Sequence, residues 1–514
     1  MLRQQLRGLL LVLFACSVIT AALASGLRPD TFFVGDPGVK LISTRNTLRT
    51  PASPLNIPLP HIGTDQVPHV EQFFAVHDTH AHAVTSEFFP LVTAPLLRLF
   101  GLRGIYVLPA LGFLATLAGT AWLGWVLDHR RNMAHVAGVA ALGSPFLFYG
   151  LEFWEHMPAV ALLVCGTALL FHATRRQPGG HAATLPTFAA GLLFGAATTF
   201  RPEAACFVAA VFVASRLLIH RPSWRSLAVA TAGMVVGLLP LEAYTVVHFG
   251  SWIPGHVGTN AALFGDAWLA ERATFASNWL LPAPWTGRGP TRLDSFWSVA
   301  PAAVVAAGGL FRASNHDERP FLWTVAVLTI GLTLLVAPND GGGQWAPRYL
   351  LPAYVPLVLL AADTIQALPR TVWAIALIVV LAAGGVWVQR AAYRTLRGAK
   401  NTYGRLADAV ERLSSPGLPV ITDVWWLDQL AAAALDDRNV LVAADPSAGR
   451  DIVRRFSDLV SPSVTVVRSH EIQGGVDAWN TGTCYFEEAR EEVDVRGVVV
   501  YRLRHRCGYT DGNR

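Results

Sequence analysis

Acidic and basic side chains recur in short clusters along an otherwise apolar chain, and each cluster combines groups able to move protons or hold phosphate. Phe32-Phe33-Val34-Gly35-Asp36-Pro37-Gly38-Val39-Lys40 sets a carboxylate four residues ahead of an ammonium. Tyr149-Gly150-Leu151-Glu152-Phe153-Trp154-Glu155-His156-Met157-Pro158 joins two carboxylates to an imidazole. Thr199-Phe200-Arg201-Pro202-Glu203 and Pro347-Arg348-Tyr349-Leu350-Leu351-Pro352 supply guanidinium groups. A guanidinium fork grips phosphate oxygens bidentately, and a carboxylate can take the proton of an attacking hydroxyl. Glycine and proline around Asp36 predict a tight turn that aims its carboxylate, which makes it the candidate base. The plainer alternatives are an interfacial turn for Asp36, a hydrogen-bonded turn for Glu155, and for Arg201 a helix-end cation paired with Glu203.

The elements that must position these residues are membrane helices. Of 514 residues, 53% are hydrophobic and 15% charged, whereas soluble domains carry roughly 25% charged residues. A mean hydropathy of +0.40 leaves too little polar surface to cover a soluble globule of this size. Apolar runs fall at 9–25, 104–127, 134–150, 157–173, 185–200, 203–219, 227–249, 296–311, 321–337, 349–366 and 371–388. They predict an α-helical polytopic membrane protein with about eleven spans. The first run also has the build of a signal peptide, with Arg3 and Arg7 before it and Ala22-Leu23-Ala24-Ser25 after it. An uncleaved anchor is the favoured expectation, and either choice sends residue 26 outward.

Positive charge sets the orientation. With the N-terminus cytoplasmic, the inner loops hold Arg130/Arg131, Arg175/Arg176, Arg216/Arg221/Arg225, Arg312/Arg319 and Arg370, and the short outer loops hold Arg201 and Arg348. The same bias accounts for a net charge of +5, so no nucleic acid is expected. Residues 1–390 then form a membrane module with outer loops 26–103 and 250–295, and residues 391–514 an extracytoplasmic tail. Within the tail, 403–413, 425–435 and 448–459 read as helices, and 418–422, 440–444, 464–467 and 498–503 as strands. That alternation predicts a small, partly parallel α/β domain. Cys16, Cys165 and Cys206 lie in apolar runs as inert packing residues, while Cys484 and Cys507 can pair if the tail is outside.

Under this topology Asp36, Lys40, Glu155, His156, Arg201, Glu203 and Arg348 reach one extracytoplasmic face. Ionisable groups beside spans are functional candidates by default. One carboxylate among cations at a membrane surface suits transfer of a sugar from a lipid-phosphate carrier, the arginines stabilising the departing phosphate. In the outer loop, His77-Asp78-Thr79-His80-Ala81-His82 could hold a divalent metal such as zinc through His77, Asp78, His80 and His82. A solvated run of histidines is the stronger expectation. Residues 87–100 predict an interfacial amphipathic segment. Trp252, Trp268, Trp279 and Trp285, with Asp266 and Glu271, predict a loop anchored at the headgroups, or alternatively a sugar-stacking surface.

The layout resembles the GT-C superfamily of integral membrane glycosyltransferases, such as the protein O-mannosyltransferases and the aminoarabinose transferases. The resemblance rests on Asp36 in the first outer loop, the Glu155-His156 turn, Phe200-Arg201-Pro202-Glu203, the late Pro347–Pro352 element and the outer α/β tail. It implies a multi-pass protein of a bacterial plasma membrane that inverts the anomeric centre of a hexosyl or pentosyl group. The implied donor is a polyprenyl-phosphate sugar and the implied acceptor a glycan, lipid or protein. Asp36 and Glu155 are then catalytic candidates. Lys40, His156, Arg201, Glu203, Arg348 and Tyr349 are substrate-binding candidates, and a divalent metal remains optional. The competing class is a transporter or flippase for lipid-linked glycans. It predicts broken helices and charges at the midplane, whereas the distinctive ions here gather at one face.

Overall fold

The computed structural model describes residues 2–63, 65–66, 73–77, 80–83, 85–86, 88–176, 184–219, 222–250, 252, 268–281, 295–309, 318–339, 341, 345–443, 445–459, 461–469, 476, 479, 482–495 and 497–506. The chain divides into two compact units, one of Met1–Gly26 with Ile105–Thr395, the other of Leu27–Gly104 with Leu396–Arg514.

The first unit is helical. Seven helices in the described residues are long and apolar enough to cross a membrane: Leu2–Ser25, Phe88–Leu127, His156–Arg175, Trp224–Val247, Glu318–Val336, Arg348–Gln366 and Val372–Leu413. Shorter apolar helices at Met133–Gly143, Thr184–Phe200 and Ala204–Ile219, with Pro301–Gly308, fall in the remaining expected spans. The chain is thus an integral membrane protein, built so that its apolar runs satisfy their own backbone hydrogen bonds.

Small residues hold these helices together. Gly191 and Gly195 of Thr184–Phe200 face Gly233 and Gly237 of Trp224–Phe249. A Cβ at Gly191 would lie 2.0 Å from the Ala230 carbonyl oxygen, and one at Gly195 would lie 2.4 Å from that of Met234. Conversely, a Cβ at Gly233 would lie 2.2 Å from the Phe188 carbonyl. With water excluded from both helices in a bilayer, such backbone approach supplies the packing that a hydrophobic driving force cannot. Elsewhere in the unit, Arg131 donates to both carboxylate oxygens of Asp363 at 2.8 and 2.7 Å. Counted in the sequence as a cationic loop residue, Arg131 is instead buried in an ion pair.

The second unit combines the first loop with the tail. Its five-stranded sheet runs in the order Val440–Val442, Val420–Thr422, Ser463–Ser469, Val498–His505 and Tyr485–Val493. Val420–Thr422 pairs in parallel with both of its neighbours, and the last two contacts are antiparallel. Val464 through Arg468 are buried in succession because both faces of the sheet are covered. One face packs on Val453, Phe456 and Trp479, the other on Leu406, Val410 and Leu427. Asp445 caps Pro446–Asp458 by accepting from the backbone N–H groups of Ser447 and Ala448 at 2.8 and 2.9 Å.

Three expectations change. Residues 371–388 and 403–413 are parts of one continuous helix, Val372–Leu413. The helix expected at 425–435 contracts to the single turn Leu427–Leu430. Tyr485–Val493, unassigned in the sequence because it is dense in glutamate, is the outer strand, where charged side chains deter pairing with another chain. Cys484 is disulfide-bonded, and Cys507 lies outside the described residues.

Candidate functional site

In the helical unit, three separated stretches of sequence build one cluster. Leu151–Glu155 bridges the short helix Phe146–Gly150 and the helix His156–Arg176, which sets Glu155 just ahead of a helix start. Arg201 and Glu203 occupy the break between Thr184–Phe200 and Ala204–Ala214, where Pro202 ends the helical run. Arg348 and Tyr349 open the 3-10 turn Arg348–Ala353 ahead of Tyr354–Gln366.

Arg201 donates to Glu155 Oε1 at 2.9 Å and, through its Nε, to Glu203 Oε1 at 2.7 Å. Glu155 is 1% exposed, so its carboxylate is held in the interior by this pairing. Burial opposes the Arg201 charge, but Glu203 and Glu155 hold its pKa above the ordinary arginine value. The guanidinium groups of Arg201 and Arg348 both lie over the Tyr349 ring, at 5.3 and 5.4 Å from its centroid. Tyr349 in turn donates its O–H to Asn339 Oδ1 at 3.0 Å and packs against Trp279 at 5.8 Å.

An aromatic wall supports the cluster. Tyr149, Trp154 and His156 lie mutually within 5.2–5.4 Å, ring centre to ring centre. Tyr149 donates to the carbonyls of Trp345 and Ala346 at 2.7 and 3.2 Å. Ala346 has φ of +68° and stands alone among the described non-glycine residues with positive φ. A left-handed alanine costs on the order of 1 kcal/mol or more, so the Tyr149 hydroxyl clamps a strained joint two residues before Arg348. Tyr149, Asn339 and Trp345 were not singled out in the sequence. Nothing in their spacing marks them, since the partners come from distant segments.

The cluster gathers Glu155, His156, Arg201, Glu203, Arg348 and Tyr349. Asp36 and Lys40 belong to the other unit. Asp36 is not in an isolated turn: it lies in the first turn of the helix Gly35–Arg49. Proline is tolerated there, and a carboxylate there is favoured by the helix dipole. Lys40 follows one turn later on the same helix and is buried. Gly38 makes this packing possible, because a Cβ there would lie 1.7 Å from the Gln429 carbonyl oxygen.

Of the histidine run, His77 lies on Phe74–His77 and His80 and His82 on the adjoining strand His80–Ala83, with His77 paired to His80 in register. Asp78 lies outside the described residues. Among the described residues no group of three or more histidine, cysteine, aspartate or glutamate side chains could hold a metal ion. Of the tryptophan loop, Trp252 is exposed, and Trp279 is buried against Phe275 and Tyr349. Asp266 and Trp285 lie outside the described residues.

No family model and no curated protein sequence matches the chain. Solved structures do. ArnT from Cupriavidus metallidurans bound to undecaprenyl phosphate superposes with a TM-score of 0.61 at 15% identity, covering 96% of this chain and 97% of that one. The same protein in its apo state gives 0.56 at 14% identity, covering 96% and 98%. The mycobacterial arabinofuranosyltransferase AftD gives 0.52 at 16% identity, covering 97% of this chain and 42% of that longer one. The chain therefore shares the fold of the Cupriavidus ArnT structures over nearly its whole length.

Proposed function

We propose that the chain is a membrane glycosyltransferase that moves a sugar from a polyprenyl-phosphate donor to an extracytoplasmic acceptor, with inversion at the anomeric carbon. Two guanidinium groups fixed over one tyrosine ring, Arg201 and Arg348 on Tyr349, carry this reading. Planar forks held rigidly suit phosphate oxygens, and interfacial placement suits a lipid phosphate. The Cupriavidus ArnT structure, which holds undecaprenyl phosphate, supports the same donor class.

In this reading Asp36 accepts the proton of the acceptor hydroxyl as its oxygen attacks the anomeric carbon. The bond between that carbon and the phosphate oxygen breaks, and its electron pair leaves with the polyprenyl phosphate. Arg348, Arg201 and Lys40 stabilise the charge that develops on the leaving group. Glu155 and Glu203 orient Arg201, and His156 lines the acceptor side. The N-terminus is cytoplasmic and the sheet-bearing tail extracytoplasmic.

The test is transfer of label from a panel of radiolabelled polyprenyl-phosphate hexoses and pentoses by the purified protein, followed by identification of the product. At least one donor gives a labelled product, and Asp36→Asn abolishes it while the protein still inserts. Absence of product with every donor, together with transbilayer movement of a lipid-linked sugar, would replace this reading with the transporter.

A further inference from the structure

The second unit contains a cavity of about 750 Å³, enclosed by the later turns of the Gly35–Arg49 helix, the Ile57–Gly63 segment and tail residues 417–419 and 428–440. It is separate from the arginine cluster of the helical unit, and its volume lies within the roughly 300–1,000 Å³ span of small-molecule sites. Ionic groups on its wall nearly balance: Arg45, Arg49 and Arg438 stand against Asp436 and Asp437, with Asp428 beside them. They are locked together. Arg45 and Arg49 grip Asp436 at 3.1 and 2.7 Å, and Arg438 holds Asp437 at 2.6 Å.

A wall of nearly balanced charge gives a bound ion little net electrostatic gain. It does present donors beside acceptors at close spacing, which is what a ligand rich in hydroxyls requires, since each hydroxyl both donates and accepts. Between these groups Ile57, Leu435 and Leu459 offer apolar surface for the C–H faces of a ring. Part of the wall is braced, because His61 donates its N–H to Asn439 Oδ1 at 3.2 Å and Asn439 donates back to the His61 carbonyl. Asp428 lines the cavity yet is buried, and burial pushes its carboxyl up to about 7.

We propose that this cavity is a binding site for a neutral saccharide, separate from the residues assigned to sugar transfer. The experiment is saturation-transfer-difference NMR on the full chain in detergent. The probes are neutral mono- and disaccharides of glucose, mannose, galactose and arabinose, with glucose 1-phosphate as the anionic comparator. A neutral saccharide is expected to bind, and Asp428→Asn and Arg49→Gln each to weaken it at least fivefold. Arg49 is largely exposed, with 56% of its side chain accessible, so that variant separates lost binding from lost folding. The signal persists in Asp36→Asn, which distinguishes this site from the site of transfer whether or not transfer is observed. The proposal is overturned if no neutral saccharide binds or only the phosphate binds. It is equally overturned if both cavity variants bind like the parent, or if Asp36→Asn removes the signal.

Discussion

Arg201 and Arg348 share one aromatic ring, their guanidinium carbons 5.3 and 5.4 Å from the centre of Tyr349. Each gains from the ring quadrupole, and Arg201 is balanced further by Glu155 and Glu203. Tyr349→Phe keeps the ring and should leave the donor KM within about twofold. Tyr349→Leu removes the ring and should raise KM at least fivefold, on the scale of about 1 kcal/mol for a cation–π contact. Equal KM values for the two variants would mean that the ring does not position the arginines.

Arg201→Ala leaves Glu155 buried without its cation. Breaking such a pair costs about 3–5 kcal/mol, so the melting temperature in detergent should fall markedly. Glu155→Gln combined with Arg201→Ala should recover part of the loss. A double variant no more stable than Arg201→Ala would show that the pair does not carry the effect.

Asp36→Asn should lower kcat for sugar transfer by about 10²–10⁴-fold, the usual worth of a general base, with an unchanged melting temperature. Retained turnover would assign the base elsewhere.

Asp428 gives the second unit a signed pH dependence. Its carboxyl rises from 3.8 to about 7 on burial, so between those values the folded state keeps a proton that the unfolded chain has released. Stability therefore falls as pH rises from about 4 to about 7 and stays reduced above, by an amount on the order of 4 kcal/mol. Asp428→Asn removes this slope. Melting at pH 5 and pH 8 should show the variant gaining on the parent more at the higher pH, and a constant difference would refute the assignment.

Gly191→Ala places a methyl group 2.0 Å from the Ala230 carbonyl oxygen, and overpacking of this kind costs about 1–3 kcal/mol. Gly138→Ala meets nothing within 4 Å and should be neutral or stabilising through helix propensity. Thermal melts of the two variants side by side check the contrast.

The membrane helices were legible because a long apolar run has one way to satisfy its backbone in a bilayer. Gly191, Gly195, Gly233 and Gly237 escaped notice, since glycine is common in such helices and pairing depends on which faces meet. The Gly35–Arg49 helix was hidden by Pro37 and Gly38, which read as a turn although proline fits a first helical turn. Arg201, Glu203, Arg348 and Tyr349 were legible as scarce polar residues at span ends. Tyr149 and Asn339 were not, because each acts through a partner nearly two hundred or ten residues away that only the fold supplies. Tyr485–Val493 was obscured by its glutamates, which an edge strand tolerates.

The contact of Gly38 with Gln429 also bears on timing. A ribosome delivers the Gly35–Arg49 helix long before its packing partner. Until Gln429 has been made, the segment bearing Asp36 lacks the backbone that Gly38 packs on. A chain stopped before Gln429 would carry Asp36 on a helix without that packing partner.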